Sequence, residues 1–267
     1  RFKIMDFAAP DVSALPDAAM EIDFQALSDT RLAEMETAAM AVGDSLAELS
    51  AQGTTLVGDV LKGQGEFLQW DHYPAGDVYD RTSHAQYYYH AHPADNRTPG
   101  YPDGLWATEH GHFHTFLRAE GMPPGAVSAA LPGNQTGETA DALSHIVAIS
   151  MGRDGLPMRL FTTNRWVTGE QWHDAETVIG LIDRFTVTSP VPSRPVNSWI
   201  THMLRLFRPQ IEVLLRRRDA ALVDWQTRHA DTETPAHEDR GLEVTSLTVI
   251  DIADQVERLA AERARRA

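Results

Sequence analysis

Two short histidine clusters hold the residues of this chain whose types and spacing could do chemistry. Residues 83–92 read SHAQYYYHAH and residues 109–114 read EHGHFH. Together they hold six of the twelve histidines of the chain. Neutral imidazole is the commonest protein ligand for metal ions and suits zinc, copper and iron. The concentration of histidines therefore predicts a transition-metal site.

The spacing within both clusters has a period of two, which is typical of a β-strand. Successive side chains of a strand point to opposite faces, so His90 and His92 would share one face, and so would His110, His112 and His114. Two imidazoles at i and i+2 on one face can converge on one ion. If the two strands pair with these faces aligned, a third or fourth nitrogen comes from across the ladder, where opposed side-chain roots are about 5 Å apart.

The candidate metal ligands are six histidines, but they do not all fit one ion. His110 and His114 would lie about 13 Å apart along a regular strand, so either one of the second set supports the others or two metal positions exist. Glu109 would face away from His110 and could be a ligand only at a β-bulge. We expect direct ligands among His90, His92, His110 and His112, and direct or supporting roles for two more: His84, His114.

The segment before the first cluster supplies acids. His72, Asp77 and Asp80 lie on a turn-like stretch that contains Pro74 and Gly76. Each could act as a general base, orient a ligand or, for the carboxylates, bind the ion. Two histidines and one carboxylate would suit non-haem iron, whereas three histidines and an open position are typical of catalytic zinc.

Haem is the main alternative cofactor. One histidine would then be the axial ligand. Tyr88 and Trp106, with the neighbouring tyrosines and Phe113, could line the porphyrin, and Arg205 or Arg208 could meet its propionates. This alternative does not explain why so many histidines share one face.

Composition excludes several classes of function. The chain has no cysteine, which removes disulfides, thiolate nucleophiles and cysteine-ligated metal sites. Its formal charge of −15 disfavours nucleic acid as a partner. No apolar run is long enough to span a membrane. No secretory leader is recognisable, which predicts a cytoplasmic protein, although the periplasm stays open because the chain begins at Arg1.

The pattern of elements predicts an α+β fold in one domain, residues 1–267. Residues 1–26 would form an extended arm, 27–62 a helical region that starts after Ser28, 66–165 the histidine-rich sheet, and 168–267 a mostly helical cover. The sheet would be small and antiparallel, with four to five strands. Thr168 and Gln171 suggest a capping box that opens a helix, and Pro209 should kink or restart a later one.

The two clusters, with His72-Tyr73-Pro74 before them, resemble an uncharacterised bacterial family that is known only as a domain of unknown function. The resemblance covers most of the chain. It implies a bacterial origin, and it implies no activity.

These observations lead to three hypotheses. The first is a metalloenzyme that activates water or oxygen for a small-molecule substrate. The second is a non-catalytic metal or haem carrier. The third is an accessory subunit that uses the helical half to dock a protein partner, with a basic patch made of Arg205, Arg208, Arg216, Arg217 and Arg218.

Overall fold

The computed structural model describes residues 19–93, 108–126, 128–129 and 142–267. Within these residues the chain forms an open antiparallel sheet whose six strands follow one another in sequence order. The strands are β1 Tyr73–Tyr79, β2 Ala85–His90, β3 Glu109–Arg118, β4 Leu143–Gly152, β5 Pro157–Thr163 and β6 Val244–Val249. The predicted α+β class is therefore correct, but the sheet has six strands rather than four to five.

The strand that sequence reasoning missed is β1, which was interpreted as a turn. Pro74 and Gly76 lie inside it, and Asp77 has a positive φ of 60°. Its pairing with β2 is irregular between Tyr73 and Val78. β1 is an edge strand, where a proline removes no ladder hydrogen bond that the sheet needs. Turn-forming residues therefore occur here within a bulged strand.

Seven α-helices accompany the sheet in the described part of the chain. They are α1 Asp29–Ala51, α2 Leu56–Leu61, α3 Arg165–Thr168, α4 Ala175–Leu181, α5 Arg194–Leu206, α6 Arg208–Arg228 and α7 Ile252–Arg266. The Ser28 side chain caps α1 by accepting a hydrogen bond from the Arg31 amide, as predicted. Pro209 lies in the first turn of α6, so it restarts a helix rather than kinking one.

The helix predicted to open at Thr168 is wrong in its start. Thr168 ends the short α3, and Gly169 follows in the left-handed region with a φ of 64°. The next helix, α4, begins after Asp174, whose side chain accepts from the Thr177 amide. The proposed capping box does not form, because Gly169 lies within the first turn that the box would need and adopts a left-handed conformation. Asp174 is the N-cap of α4 instead.

All the described helices except the short α3 contribute to the main apolar core, which lies against one face of the sheet. Tyr87, Tyr89 and Phe113 point from the central strands into the main apolar core, together with helical residues such as Trp199. The Tyr87 hydroxyl donates to Asn197 Oδ1 at 2.5 Å, which ties β2 to α5. Because side chains alternate along a strand, the neighbours of these residues point to the other face, which carries the histidines.

The predicted basic patch is not one continuous surface. Arg208 and Arg218 are buried, whereas Arg216 and Arg217 are exposed. Arg208 is paired with Asp183 at 2.5 Å and Glu212 at 2.6 Å, and Arg218 lies 3.9 Å from the centre of the Trp172 ring. Two of the five arginines therefore hold the helical layer together. None of the described helices has the length and apolar character needed to cross a bilayer.

Candidate metal centre

Three histidines from the two central strands converge on one point. β2 and β3 pair so that His90 lies directly opposite His112, with Tyr88 opposite His114. His90, His112 and His114 each offer a ring nitrogen, and these three atoms lie within 4.8 Å of one another. The strand pairing on which the sequence prediction depended is therefore present, with the histidine faces aligned.

The three rings are arranged as ligands of one ion would be. Their centroids are 4.5 to 5.3 Å apart, and each pair of rings is close to perpendicular. His90 Nε2 and His112 Nε2 are 2.7 Å apart. A tetrahedral ion with bonds of about 2.0–2.1 Å separates its ligand nitrogens by about 3.3 Å. The observed distances between ring nitrogens run from 2.7 Å to at most 4.8 Å, on both sides of that value. Small side-chain rotations would therefore give the spacing that an ion needs.

A buried carboxylate fixes the orientation of His112. Glu109 Oε1 lies 2.6 Å from His112 Nδ1, and its other oxygen accepts a hydrogen bond from the Ser150 hydroxyl. The pairing of β3 with β4 shifts register between Glu109 and Gly111, and this bulge brings Glu109 to the face of His112. A proton held on Nδ1 leaves the Nε2 lone pair directed at the cluster, which is the usual arrangement behind a metal-bound histidine.

His114 is supported in a similar way by a second histidine. Its Nδ1 lies 3.0 Å from His145 Nε2 on β4. The His145 backbone amide donates to Glu170 Oε2 at 2.7 Å. A proton on His114 Nδ1 would be donated to His145 and would leave His114 Nε2 for an ion.

Burial favours the neutral form of four of these histidines: His90, His92, His114 and His145. Burial lowers the pKa of His90 far below its ordinary value, and the neighbouring His112 lowers it further. Burial likewise lowers the pKa of His92 to about 3 and that of His145 to about 3. The pKa of His114 also falls well below its usual range because the ring is buried. Neutral imidazole is the form that binds metal ions.

The other three predicted metal ligands lie outside the trio. The His92 ring is closest, 4.9 Å from the His112 ring and stacked on Trp70 at 5.0 Å. His110 lies on the helix side of the bulge, where its Nδ1 is 2.5 Å from the Tyr89 hydroxyl. His84 precedes β2 with a φ of 63°, so the alternation does not extend to it.

The residues predicted to act as general bases or to orient a ligand lie in two different places in the structure. His72 lines the histidine face, with its ring 3.6 Å from the Tyr88 ring and its Nδ1 3.0 Å from Asp77 Oδ1. Asp80 lies elsewhere, because its carboxylate accepts from the backbone amides of residues 82, 83, 188 and 189. Burial raises the pKa of Asp80, but these hydrogen bonds outweigh burial and hold the pKa far below its ordinary value. Asp80 thus tethers a loop.

The predicted cofactor-binding residues do not gather. Tyr88 lies on the histidine face. Arg205 is on α5, on the opposite side of the sheet, and donates to Thr186 Oγ1 at 2.7 Å. Arg208 is also in that helical layer, where Asp183 and Glu212 neutralise it. Trp106 lies outside the described residues.

A cavity of about 430 Å³ lies over the trio. Trp70, Phe161 and Trp166 contribute aromatic walls, and Glu243 contributes a carboxyl group. Burial raises the pKa of Glu243 above its ordinary value. Trp70 is 55% exposed, which places it at the rim. The trio therefore faces a chamber large enough for a small molecule.

Sequence reasoning did not find two of the carboxyl groups near the histidine trio. Glu170 and Glu243 are isolated in the sequence, and no spacing rule relates them to a histidine strand. Burial raises the pKa of Glu170 to about 7. The one available signal was the alternation of His145 with apolar residues on β4, which places it on a strand that neighbours His114.

A scan against protein-family models matches residues 36–250 to the family described as Domain of unknown function (DUF6969). Neither the curated proteins nor the solved structures contain a match to the chain. The family model covers well over half of the sequence, so the chain belongs to the DUF6969 family of unknown function.

Proposed function

We propose that this protein is a metalloenzyme that holds one transition-metal ion on His90, His112 and His114 and acts on a small molecule. One observation carries the proposal: three imidazole nitrogens lie within 4.8 Å of one another at the floor of a cavity. A buried carboxylate behind His112 and a buried imidazole behind His114 support it.

The donor set favours zinc or copper over the iron of two-histidine, one-carboxylate sites. The group brought together in the described residues is all nitrogen, and Glu109 bonds to a ligand ring instead of pointing at the cluster. Three neutral ligands leave the charge of a divalent ion undiminished, so such an ion would lower the pKa of a bound water molecule. Activation of dioxygen would instead require copper in its reduced state, because zinc has no redox chemistry.

His72 is the side chain best placed to exchange a proton with a substrate. It lines the cavity, and Asp77 Oδ1 holds its Nδ1 at 3.0 Å. Gln86 Nε2 donates to the other Asp77 oxygen at 2.6 Å and so fixes the carboxylate. A histidine oriented by a carboxylate is a common general acid or base.

The support for haem is weaker. Arg205 and Arg208, the proposed propionate partners, lie across the sheet from the cavity. The close approach of His90 Nε2 to His112 Nε2 suits a small ion between the rings better than one axial ligand on a porphyrin.

Metal analysis tests the proposal. The protein is purified without added ions, its metals are measured, and the metal-free form is titrated with Zn²⁺ against a chromophoric chelator. We expect one site per chain and no absorbance band in the Soret region. His112→Leu should weaken binding by more than about a hundredfold, which exceeds the usual effect of losing a supporting residue.

His229→Gln is the matched control, because His229 lies at the end of α6 and stacks on Trp225. It should bind Zn²⁺ as tightly as the unaltered protein. Equal binding by His112→Leu and the unaltered protein would overturn the proposal, and a Soret band would replace the bare ion by haem.

A further inference from the structure

The cavity over the histidine trio has walls that are flat and aromatic. Trp70 stacks on His92 with 5.0 Å between ring centres, and Tyr88 stacks on His72 at 3.6 Å with an interplanar angle of 9°. Each wall thus consists of two rings in contact, which limits the motion of both rings. Such walls suit a planar ligand, because stacked and edge-to-face ring contacts add to simple burial.

Trp166 closes the same chamber and is held by its own hydrogen bond. Its Nε1 donates to the Leu242 carbonyl at 2.8 Å, and the Arg240 guanidinium lies 4.7 Å from its ring centre. The indole is therefore fixed as a wall, and its single N–H is already used. It can contact a ligand through its ring face but offers no donor to it.

The chamber offers hydrogen-bond acceptors besides the histidines. Glu243 lines the cavity, where its carboxyl oxygens can accept hydrogen bonds. Thr163 also lines the cavity, and its buried hydroxyl, which can accept or donate, has no hydrogen-bond partner among the described residues. No lysine or arginine is among the lining residues that the structure describes. In the metal-free protein, an acceptor with no lysine or arginine among the described lining residues favours a ligand that is a donor and disfavours an anion.

The geometry points to a small, uncharged aromatic molecule with a phenolic O–H or aromatic N–H as the ligand of this cavity, with Glu243 accepting its hydrogen bond. This inference rests on the proposed function, since it places the ring of the ligand beside the histidine trio. The hydroxyl of Thr163 is the second group that such a donor could reach after a small shift. The net charge of −15 adds to the disadvantage of an anionic ligand.

Calorimetric titration with three probes tests the inference: 4-methylphenol, toluene and benzoate. They share one aromatic ring and differ in carrying a donor, no polar group or a negative charge. We expect 4-methylphenol to bind about tenfold more tightly than toluene, as one hydrogen bond to a carboxylate allows. Benzoate should bind more weakly than 4-methylphenol to the metal-free protein.

Variants of Glu243 assign the selectivity. Glu243→Leu should remove the advantage of 4-methylphenol over toluene, whereas Glu243→Gln retains an acceptor oxygen and should keep part of it. Thr163→Val is a second, nearly isosteric variant, with an expected loss of about threefold. If Glu243→Leu does not fold, the glutamine and valine variants still decide the assignment.

Titrations of zinc-loaded and metal-free protein separate the two proposals. Normal zinc binding with no preference for 4-methylphenol over toluene would overturn the ligand class and leave the metal proposal standing. Failure to bind zinc, with the preference retained in the metal-free protein, would do the reverse. Preference for benzoate in the metal-free protein, or an unchanged preference in Glu243→Leu, would also contradict the inference.

Discussion

The two faces of strands β2 to β4 are formed by alternate residues of the same strands, but one face is apolar and the other carries the histidines. Tyr89, Phe113 and Ile149 point to the helices and are fully buried among apolar side chains. His90, His112 and His114 point the other way and are also mostly buried, with their ring nitrogens close together and aromatic rings around them. Burial of the apolar side chains on the first face stabilises the folded protein. The second buries polar groups, which costs stability unless partners or a ligand satisfy them.

This difference explains why the histidine face stands out as a site. An antiparallel sheet needs only one apolar face packed on the core, and its other face is commonly polar and solvated, so the fold by itself does not require buried histidines on the second face. Local choices that conflict with stability are expected at functional sites. Glu109 is a further buried polar group on this side and orients the His112 ring, and the buried Glu170 accepts from the backbone amide of His145.

The largest expected effect is a difference in the free energy of unfolding between variants of two neighbouring residues on β3. Phe113→Ala should lower the free energy of unfolding of the metal-free protein by about 4 kcal/mol, because a large buried ring is removed from the helix-packed core. His114→Ala should cost less than half as much, since it removes a polar ring. Urea unfolding in the presence of a chelator measures both. An equal or larger loss for His114→Ala would mean that the two faces contribute alike to stability.

A second variant tests the tether between the sheet and the helical side. Asp80→Asn should lower the free energy of unfolding by about 3 kcal/mol at neutral pH, because several amide donors lose a charged acceptor. The pKa of Asp80 is lowered in the folded state, so its contribution is present above the ordinary value of 3.8. It is lost as pH falls below that value, toward the folded-state pKa.

Urea unfolding at several pH values checks this sign. The difference between Asp80→Asn and the unaltered protein should be constant from pH 7 to pH 5 and should shrink only below about pH 4. Zinc affinity should not change. A loss of zinc affinity in this variant would return Asp80 to the metal centre.

A smaller effect is expected at the carboxylate behind the ligands. Glu109→Gln should reduce zinc affinity by about 10- to 100-fold, because the neutral amide oxygen accepts the Nδ1 proton of His112 more weakly than the carboxylate does. Ser150→Ala is the graded control, since it removes only the hydroxyl that bonds to Glu109. Competition titration measures both affinities. A larger loss in Ser150→Ala than in Glu109→Gln would contradict the assigned order of contacts.

The smallest effect is expected at a histidine of the same sequence cluster. His84→Asn should leave zinc affinity unchanged within about twofold, because His84 precedes β2 and its Nδ1 lies 2.6 Å from the Tyr79 hydroxyl. Asparagine tolerates the positive φ of this position. Loss of zinc affinity comparable to that of a ligand variant would show that the cluster acts as one unit.

The sequence predicted the parts of the fold that depend on local periodicity. The helix after Ser28, the two histidine strands and the restart at Pro209 follow from alternation, capping and proline geometry. β1 did not follow, because Pro74 and Gly76 are turn residues in most contexts. Its place at the sheet edge is set by pairing with β2, which is tertiary information.

The site was predictable only as far as the strands are regular. His90 and His112 follow from alternation and from pairing of the two strands. The separation of His110 from His112 could not be predicted from alternation. The bulge after Glu109 turns Glu109 toward the histidine trio and His110 away from it. Gly111 allows the close approach at this point, since an added Cβ would lie 2.4 Å from the His90 carbonyl oxygen. Glu170 and Glu243 reach the site through the tertiary fold alone.

The most direct test of the central claim is the ligand environment of the bound ion. X-ray absorption spectroscopy of the zinc-loaded protein should show about three imidazole nitrogens at about 2.0–2.1 Å, with a further light atom completing the shell. The same spectrum of His90→Ala should lose one imidazole contribution. A shell of oxygen ligands only, or an unchanged imidazole count in His90→Ala, would contradict a metal centre on His90, His112 and His114.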